Sequence, residues 1–510
     1  MWRALLLGIT ICLAARDDAT GEKPDATTLA LLFAAAPDPV SARDRPSDAA
    51  TEIRLAIEPI RPVGAQTILS FRYRLAGSDH LTVRIFDVTD HDDRVIRLTR
   101  LRPGRWASAE VDFTRDAHRA DGAGTPFAAG HLVDSLSFVA NAPARTVIDL
   151  QVQDVRLFDA VTRTLWPYLR PPRQYAGRFG SYRSLLRFDD GRPVATAQDW
   201  RLRREQIVHE WQEIIGRWPP LLSRPRLERM ASTRRENFTQ QRVKVQVTPT
   251  ESVDAYLLMP DGPGPFPAVL VTYYEPDTSV GLGKRSFRDY AYQLARRGYV
   301  TLAIGPPGGD ALRVESGVGG LQPLAYLAYV AANAHTALAQ LPTVDPARIG
   351  IVGHSYGAKW AMFAACLYDK FAAGVWSDAN VAFDETRPNA NYWDPWYLGA
   401  EPGVSRPDGL PGPPDRAHPR LGAYKRLVAG GHDLHELQAL MAPRPFLVAG
   451  GAEDGPGRWL VLNHVVAVNG VLGFEGRVGM TNRPAHSPTE ESNELLYLFF
   501  EHYLKGDTRR

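Results

Sequence analysis

One short stretch restricts the fold more than any other: Ile349-Gly-Ile-Val-Gly-His-Ser-Tyr-Gly-Ala-Lys-Trp360. An apolar run meets Gly353-His354-Ser355-Tyr356-Gly357, and a small-residue helical pattern follows. Such a G-x-S-x-G stretch is a sharp strand-to-helix turn that lifts a serine hydroxyl above a sheet edge. Its two glycines are needed where the turn brings neighbouring backbone too close for a Cβ. Chains rich in glycine carry this pattern by chance, so its weight depends on what surrounds it.

The surroundings alternate strand and helix. Gln241 opens a region in which Val243–Val247 and Val253–Met259 read as an antiparallel pair. Pro267–Thr272, Tyr299–Ile304, Ile349–Val352, Ala373–Ser377 and Pro445–Ala449 read as buried strands. Phe287, Tyr290, Ala291 and Leu294 share a helical face, and Leu321–Leu341 reads as a helix. This rhythm predicts an α/β fold with a doubly wound, mostly parallel sheet over 241–510. The segment 378–441 interrupts it as a long insertion rich in Asn, Trp, Tyr, Pro and Gly, of the sort that covers or shapes a site. Ser487-Pro-Thr-Glu490 reads as a capping box that starts the closing helix.

With 510 residues the chain is long for one core. Residues 49–160 alternate as short strands, among them Leu69–Arg74, Leu81–Phe86, Ala107–Phe113, Leu132–Val139 and Val147–Val152. No amphipathic helix separates them, which predicts a β-sandwich. Its strands resemble those of carbohydrate-binding jelly rolls, which makes polysaccharide contact one expected role and packing on the catalytic domain the other. Residues 161–240 read as a linker and helical bridge, with Trp200, Ile207, Trp211 and Ile214 or Ile215 on one apolar stripe.

Residues 1–15 combine one arginine, an apolar core and small residues, the pattern of an export signal. Residues 16–48 are Ala/Pro/Asp-rich with little periodicity and read as a disordered lead-in. The expected location is periplasmic or secreted. Lipidation at Cys12 is disfavoured because Ile11 stands where a small residue is wanted. Once the signal is removed Cys366 is the sole cysteine, so no internal disulfide is expected and a buried core thiol is the plain reading. A net charge of +2 with scattered basic residues implies no nucleic-acid partner. No later stretch is apolar for long enough to span a membrane. H-E-x-x-H, C-x-x-C and P-loop patterns are absent from the sequence, so neither metal nor cofactor is expected.

A serine hydroxyl needs an imidazole to take its proton, and the imidazole needs a carboxylate to hold its tautomer. His486 lies in a loop between the last strand and the closing helix, where it is the expected base. His464, within a helical stretch, and His432 and His435 are less well placed. Asp454, just past the strand Pro445–Ala449, is the leading acid. Glu453 beside it and the group Asp378, Asp384 and Glu385 past the preceding strand are the alternatives. The backbone N–H of Tyr356 is one expected donor to an oxyanion, and Tyr273 or Tyr274, through N–H or the Tyr274 hydroxyl, the other. Lys359, one helical turn beyond the serine, faces an acidic substrate group or forms a salt bridge. Trp376, Asn380, Trp393 and Trp396 offer ring faces and amides suited to sugars, or else a local core.

The elbow, the run Leu440-Met-Ala-Pro-Arg-Pro-Phe-Leu-Val448, Asp454 and the His486 loop together resemble the α/β-hydrolase superfamily. More narrowly, the stretch from Arg203 to the C-terminus resembles carbohydrate esterases of the acetyl xylan esterase and glucuronoyl esterase group. The resemblance implies a serine carboxylic-ester hydrolase with a Ser-His-Asp triad, acting on acetyl or uronoyl esters of polysaccharide fragments. Against the G-C-S-R-x-G-K elbow of glucuronoyl esterases, Lys359 matches. His354 replaces the cysteine, Tyr356 replaces the oxyanion arginine, and Gly357 comes one position early. A peptidase of the prolyl-oligopeptidase type and a non-catalytic carbohydrate-binding protein are the alternatives.

Overall fold

The computed structural model describes residues 31–35, 40–43, 50–63, 67–120, 127, 131–143, 146–159, 164–314, 319–405 and 412–505. The expected export signal and Cys12 lie outside them. Ten strands make up the N-terminal part: β1 (Leu31–Ala35), β2 (Val40–Arg43), β3 (Thr51–Pro62), β4 (Thr67–Ala76), β5 (Leu81–Asp87), β6 (Asp92–Leu98), β7 (Ala107–Asp112), β8 (His118–Arg119), β9 (Leu132–Ala140) and β10 (Asp149–Asp159). They form two antiparallel sheets, ordered β1-β10-β4-β7, with β2 also on β10, and β3-β9-β5-β6-β8. Alternation explains why. Leu69, Phe71, Tyr73 and Leu75 of β4 are buried, and so are Leu81, Val83 and Ile85 of β5. Both sets belong to one apolar cluster, in which the Phe71 and Phe138 rings meet at 4.8 Å. Each such side chain contributes roughly 1.5–3 kcal/mol by leaving water. β1 and β2 fall inside the expected lead-in: both pair with β10, so parts of it are strand.

The expected bridge belongs to the core that follows it. Its helix spans Ala197–Ile215, begun by a reciprocal Thr196–Asp199 capping box and ended at Gly216, whose φ of 98° suits glycine. Trp200, Ile207, Trp211 and Ile215 are buried in the same cluster as the strands of the large sheet. That sheet also starts earlier than 241.

Nine strands form it: β11 (Leu227–Arg234), β12 (Phe238–Gln246), β13 (Ser252–Pro260), β14 (Phe266–Thr272), β15 (Val300–Ile304), β16 (Val344–His354), β17 (Ala373–Ser377), β18 (Phe446–Gly450) and β19 (Val478–Asn482). Their order is β11-β12-β13-β15-β14-β16-β17-β18-β19. β11 to β13 are antiparallel, and β13 meets β15 antiparallel. From β15 through β14 to β19 every neighbour is parallel. One apolar cluster holds the helices Ala197–Ile215, Pro323–Ala339 and Tyr356–Leu367; a second holds Tyr290–Arg296 and the closing helix Glu490–Phe500. Strands between such layers are covered on both sides, which accounts for the mainly apolar, continuously buried runs of β15, β17 and β14 from Pro267. The capping box of the closing helix is formed by Thr489 and Ser492, two residues beyond the expected Ser487. Among the described residues no helix is long and apolar enough to cross a membrane.

Candidate active site

The site is built where β16 ends. Ser355 follows it with φ 56° and ψ −118°, a conformation costly for a non-glycine residue that has to be imposed by its surroundings. The surroundings are tight. A Cβ on Gly353 would stand 2.1 Å from the Gly357 carbonyl oxygen, and one on Gly357 would stand 2.0 Å from that of Thr272. The Thr272 hydroxyl donates to the Gly357 carbonyl at 2.8 Å, and the Ser355 N–H to the Ser377 carbonyl at 2.9 Å. The helix Tyr356–Leu367 then runs away beneath the serine.

His486 arrives from the loop after β19. Its Nδ1 lies 2.7 Å from Asp378 Oδ2, and its ring centroid is 4.7 Å from that of His354, the neighbour of the serine. Buried Arg483 fastens this loop. Its guanidinium donates to the carbonyls of Ala449 (2.6 Å), His486 (2.7 Å) and Ser487 (2.9 Å) and to the Ser377 hydroxyl (3.1 Å). His354 is buried, and its Nδ1 lies 3.1 Å from the Ser377 carbonyl, so that nitrogen donates. Burial, then the neighbouring His486, holds its pKa well below the usual imidazole value. It therefore adds no charge beside the serine.

The carboxylate on His486 is Asp378, not the expected Asp454. Asp378 is the first residue past β17 and has φ 58°. Its Oδ1 accepts the N–H groups of Gly451 (2.7 Å), Glu453 (3.1 Å) and Asp454 (2.9 Å). Burial pushes its pKa up, but the His486 hydrogen bond, the Arg483 charge and the backbone donors outweigh it and leave it below the ordinary carboxylate value. Asp454 is wholly buried and accepts the N–H groups of Asn380 and Val381, both at 2.8 Å. Burial and the nearby Asp378 push it up to about 6. Glu453 accepts from the Asn389 amide at 2.9 Å, Asp384 pairs with Arg458 and Glu385 with Arg420. Each of these acids is thus committed elsewhere.

The tyrosines after β14 separate. The Tyr273 N–H already donates to the Ile304 carbonyl at 3.2 Å and is not free for an oxyanion. Burial raises the pKa of the Tyr274 hydroxyl, outweighing the downward pull of the Ser355 side chain and the Tyr356 N–H, and keeps the proton on Tyr274. Its ring stacks on that of Tyr356, centroids 4.9 Å apart.

Several expected substrate contacts are structural. Trp376 is buried in β17 and stacks on Phe446 at 4.8 Å, because its position in the strand points into the core. Trp393 and Trp396 are 6% and 3% exposed and pack on Tyr424 and Tyr397, forming a local core. Asn380 is buried and donates its amide to the Asn389 carbonyl at 3.1 Å. Lys359 is also buried and makes no salt bridge among the described residues. Its ammonium lies 3.4 Å from the Asn389 carbonyl and 5.0 Å from the Tyr392 ring centre. Burial pulls its pKa down to about 8, against the opposing pull of Asp454, Glu453 and Asp378. His464 is held by the Phe179 carbonyl at 2.9 Å, and Cys366 is buried with its thiol pKa raised by burial. A separate cavity of about 650 Å³ lies between Leu321 and the insertion, lined by Trp393, Glu401 and Leu421; Ser355, Asp378 and His486 do not line it.

A family model described as "Esterase FrsA-like" matches residues 225–377, which run from the start of the large sheet through the elbow to Ser377. No curated protein matches the chain. Among solved structures, a glucuronoyl esterase from Solibacter usitatus is similar over 64% of this chain and 98% of its own, at 20% identity and a TM-score of 0.50. A second structure of a glucuronoyl esterase from that organism is similar over the same shares, at 19% identity and a TM-score of 0.50. The likeness is one of fold, the α/β-hydrolase fold that the elbow resembles.

Proposed function

We propose that the protein is a serine carboxylic-ester hydrolase working through an acyl-enzyme on Ser355. The observation that carries the reading is the 2.7 Å contact of His486 Nδ1 with buried, ionised Asp378, beside an elbow that holds Ser355 in a strained conformation. Asp378 fixes the tautomer in which Nδ1 carries the proton, leaving Nε2 to take the one on Ser355. The serine oxygen attacks the ester carbonyl, and the tetrahedral oxygen takes hydrogen bonds from the Tyr356 N–H and the Tyr274 hydroxyl. His486 then protonates the departing alcohol and activates the water that releases the acid.

The esterase family match and the fold shared with a glucuronoyl esterase favour a decorated polysaccharide fragment as substrate, with an acetyl or uronoyl ester as the bond cleaved. The two N-terminal sheets, with their shared core, read as a jelly-roll-like sandwich that contacts polysaccharide, and the leading residues as an export signal. The test is turnover of p-nitrophenyl acetate and of acetylated and uronoyl-ester oligosaccharides by the parent and by Ser355→Ala. Turnover lost only in the variant supports the reading, and a parent inert towards every ester refutes it.

A further inference from the structure

The loop between the helices Pro276–Ser279 and Tyr290–Arg296 carries three cations in five residues, Lys284, Arg285 and Arg288. It is fastened at both ends. The N–H groups of Leu282 and Gly283 donate to the Asp277 carbonyl at 2.9 and 3.2 Å, and Asn493 of the closing helix donates to the Phe287 carbonyl at 2.9 Å. A Cβ on Gly283 would stand 2.2 Å from the Thr278 hydroxyl oxygen, so the chain there passes close against Thr278.

Both arginines reach the candidate active site. Arg288 Nη2 donates to the hydroxyl of Ser487, next to His486, at 3.0 Å. Arg285 Nη1 lies 3.5 Å from the Tyr273 hydroxyl, and its guanidinium carbon 5.8 Å from the centre of the Tyr274 ring. Among the described residues no carboxylate stands within ion-pair distance of Lys284, Arg285 or Arg288, whereas Arg234, Arg297 and Arg420 elsewhere on the surface are each paired. The Arg288 Nε is buried without a partner. Nearby acids are already engaged: Asp277 by the Tyr256 hydroxyl, Asp289 by Gln293 and Glu275 by Thr278. Asp378 is spent on His486.

We propose that the uncleaved part of the substrate carries a fixed oxyanion, a carboxylate or a sulfate, which Arg285 and Arg288 bind at the rim of the Ser355 site. This rests on the ester-hydrolase reading and narrows its substrate class. Two guanidiniums on a fastened loop are suited to oxyanion recognition, because their planar N–H forks match paired oxygens. A neutral sugar ester offers neither an anionic partner.

Three aryl acetates test it: 4-acetoxybenzoate, 4-acetoxybenzenesulfonate and the neutral 4-acetoxybenzamide. The expected result at low salt is a kcat/KM about tenfold higher for one or both anions than for the amide, a preference that high salt erodes. Preference for the carboxylate alone points to uronate, and for the sulfonate alone to sulfated sugar. The double variant Arg285→Met/Arg288→Met should bring the anion-to-amide ratio close to one, while the lysine pair retains part of it. Equal turnover of all three probes by an active parent would overturn the anion site. Absence of any Ser355-dependent turnover would instead remove the ester reading beneath it.

Discussion

Asp378 and Asp454 hold each other's loops: Asp378 accepts the Asp454 N–H at 2.9 Å, and Asp454 accepts the N–H groups two and three residues beyond Asp378, at Asn380 and Val381. The two carboxylates emerge from the adjacent parallel strands β17 and β18. Only one of them faces His486. The clasp gives them different work, Asp378 to orient the imidazole and Asp454 to hold the turn that presents Asp378.

That division predicts opposite signatures for two similar substitutions. Asp378→Asn should lower kcat on p-nitrophenyl acetate by about 10³–10⁴-fold with little change in KM, because the amide no longer fixes the His486 tautomer. Asp454→Ala should leave two buried N–H groups without acceptors and cost about 1–3 kcal/mol for each. Denaturant unfolding beside steady-state kinetics separates them. A larger kinetic loss from Asp454→Asn than from Asp378→Asn would reverse the assignment.

Why the acid was only half legible in the sequence follows from this arrangement. A strand end followed by a carboxylate occurs at Ser377-Asp378 and again shortly after Ala449, and chain position ranks both as candidates. Which one turns towards His486 depends on a φ of 58° at Asp378 and on amides from the other loop, neither of which has a local pattern. The useful signal was that Asp378 directly follows the strand beside the elbow strand. Elements with strong periodicity were legible, as β4, β5 and the helix from Ala197 show. The aromatic residues of the insertion were not, since a buried Trp393 and a sugar-stacking tryptophan look alike in composition. Arg285 and Arg288 carried no such pattern, because the proposal for them rests on their having no carboxylate within ion-pair distance among the described residues.

Tyr274→Phe tests the proposed second oxyanion donor. The ring is held by stacking on Tyr356 at 4.9 Å and should stay in place without its hydroxyl. Loss of one oxyanion donor costs about 10²–10³ in kcat. A drop of that size with unchanged KM and unchanged thermal unfolding is the expected outcome. Parent-like kcat would show that a backbone N–H, such as that of Tyr274, serves instead.

Arg483 is the strap of the histidine loop, and lysine cannot replace its fork. Arg483→Lys loses most of the simultaneous bonds to Ala449, His486, Ser487 and Ser377. A displacement of His486 by about 1 Å is enough to cost about 10²-fold in rate. The variant should lose that much in kcat while far-ultraviolet circular dichroism remains that of the parent. Full activity would mean that the loop holds His486 without its strap.

Lys359 gives the stability a pH dependence whose sign is fixed by its burial. Its folded pKa, about 8, lies below the 10.5 of a free lysine, so the unfolded chain binds more protons between those values. Stability therefore rises with pH across that window, and the cost of burying the charge is present in full below about pH 8. By linkage that cost is ~3 kcal/mol. Lys359→Met keeps much of the side-chain volume and removes the charge, so it should be more stable than the parent at pH 7. The gap should close as pH climbs from about 8 towards the free-lysine pKa, read from urea unfolding at several pH values. A gap that stays constant over this range would mean that the ammonium is paired in the folded protein better than its 3.4 Å contact with the Asn389 carbonyl suggests.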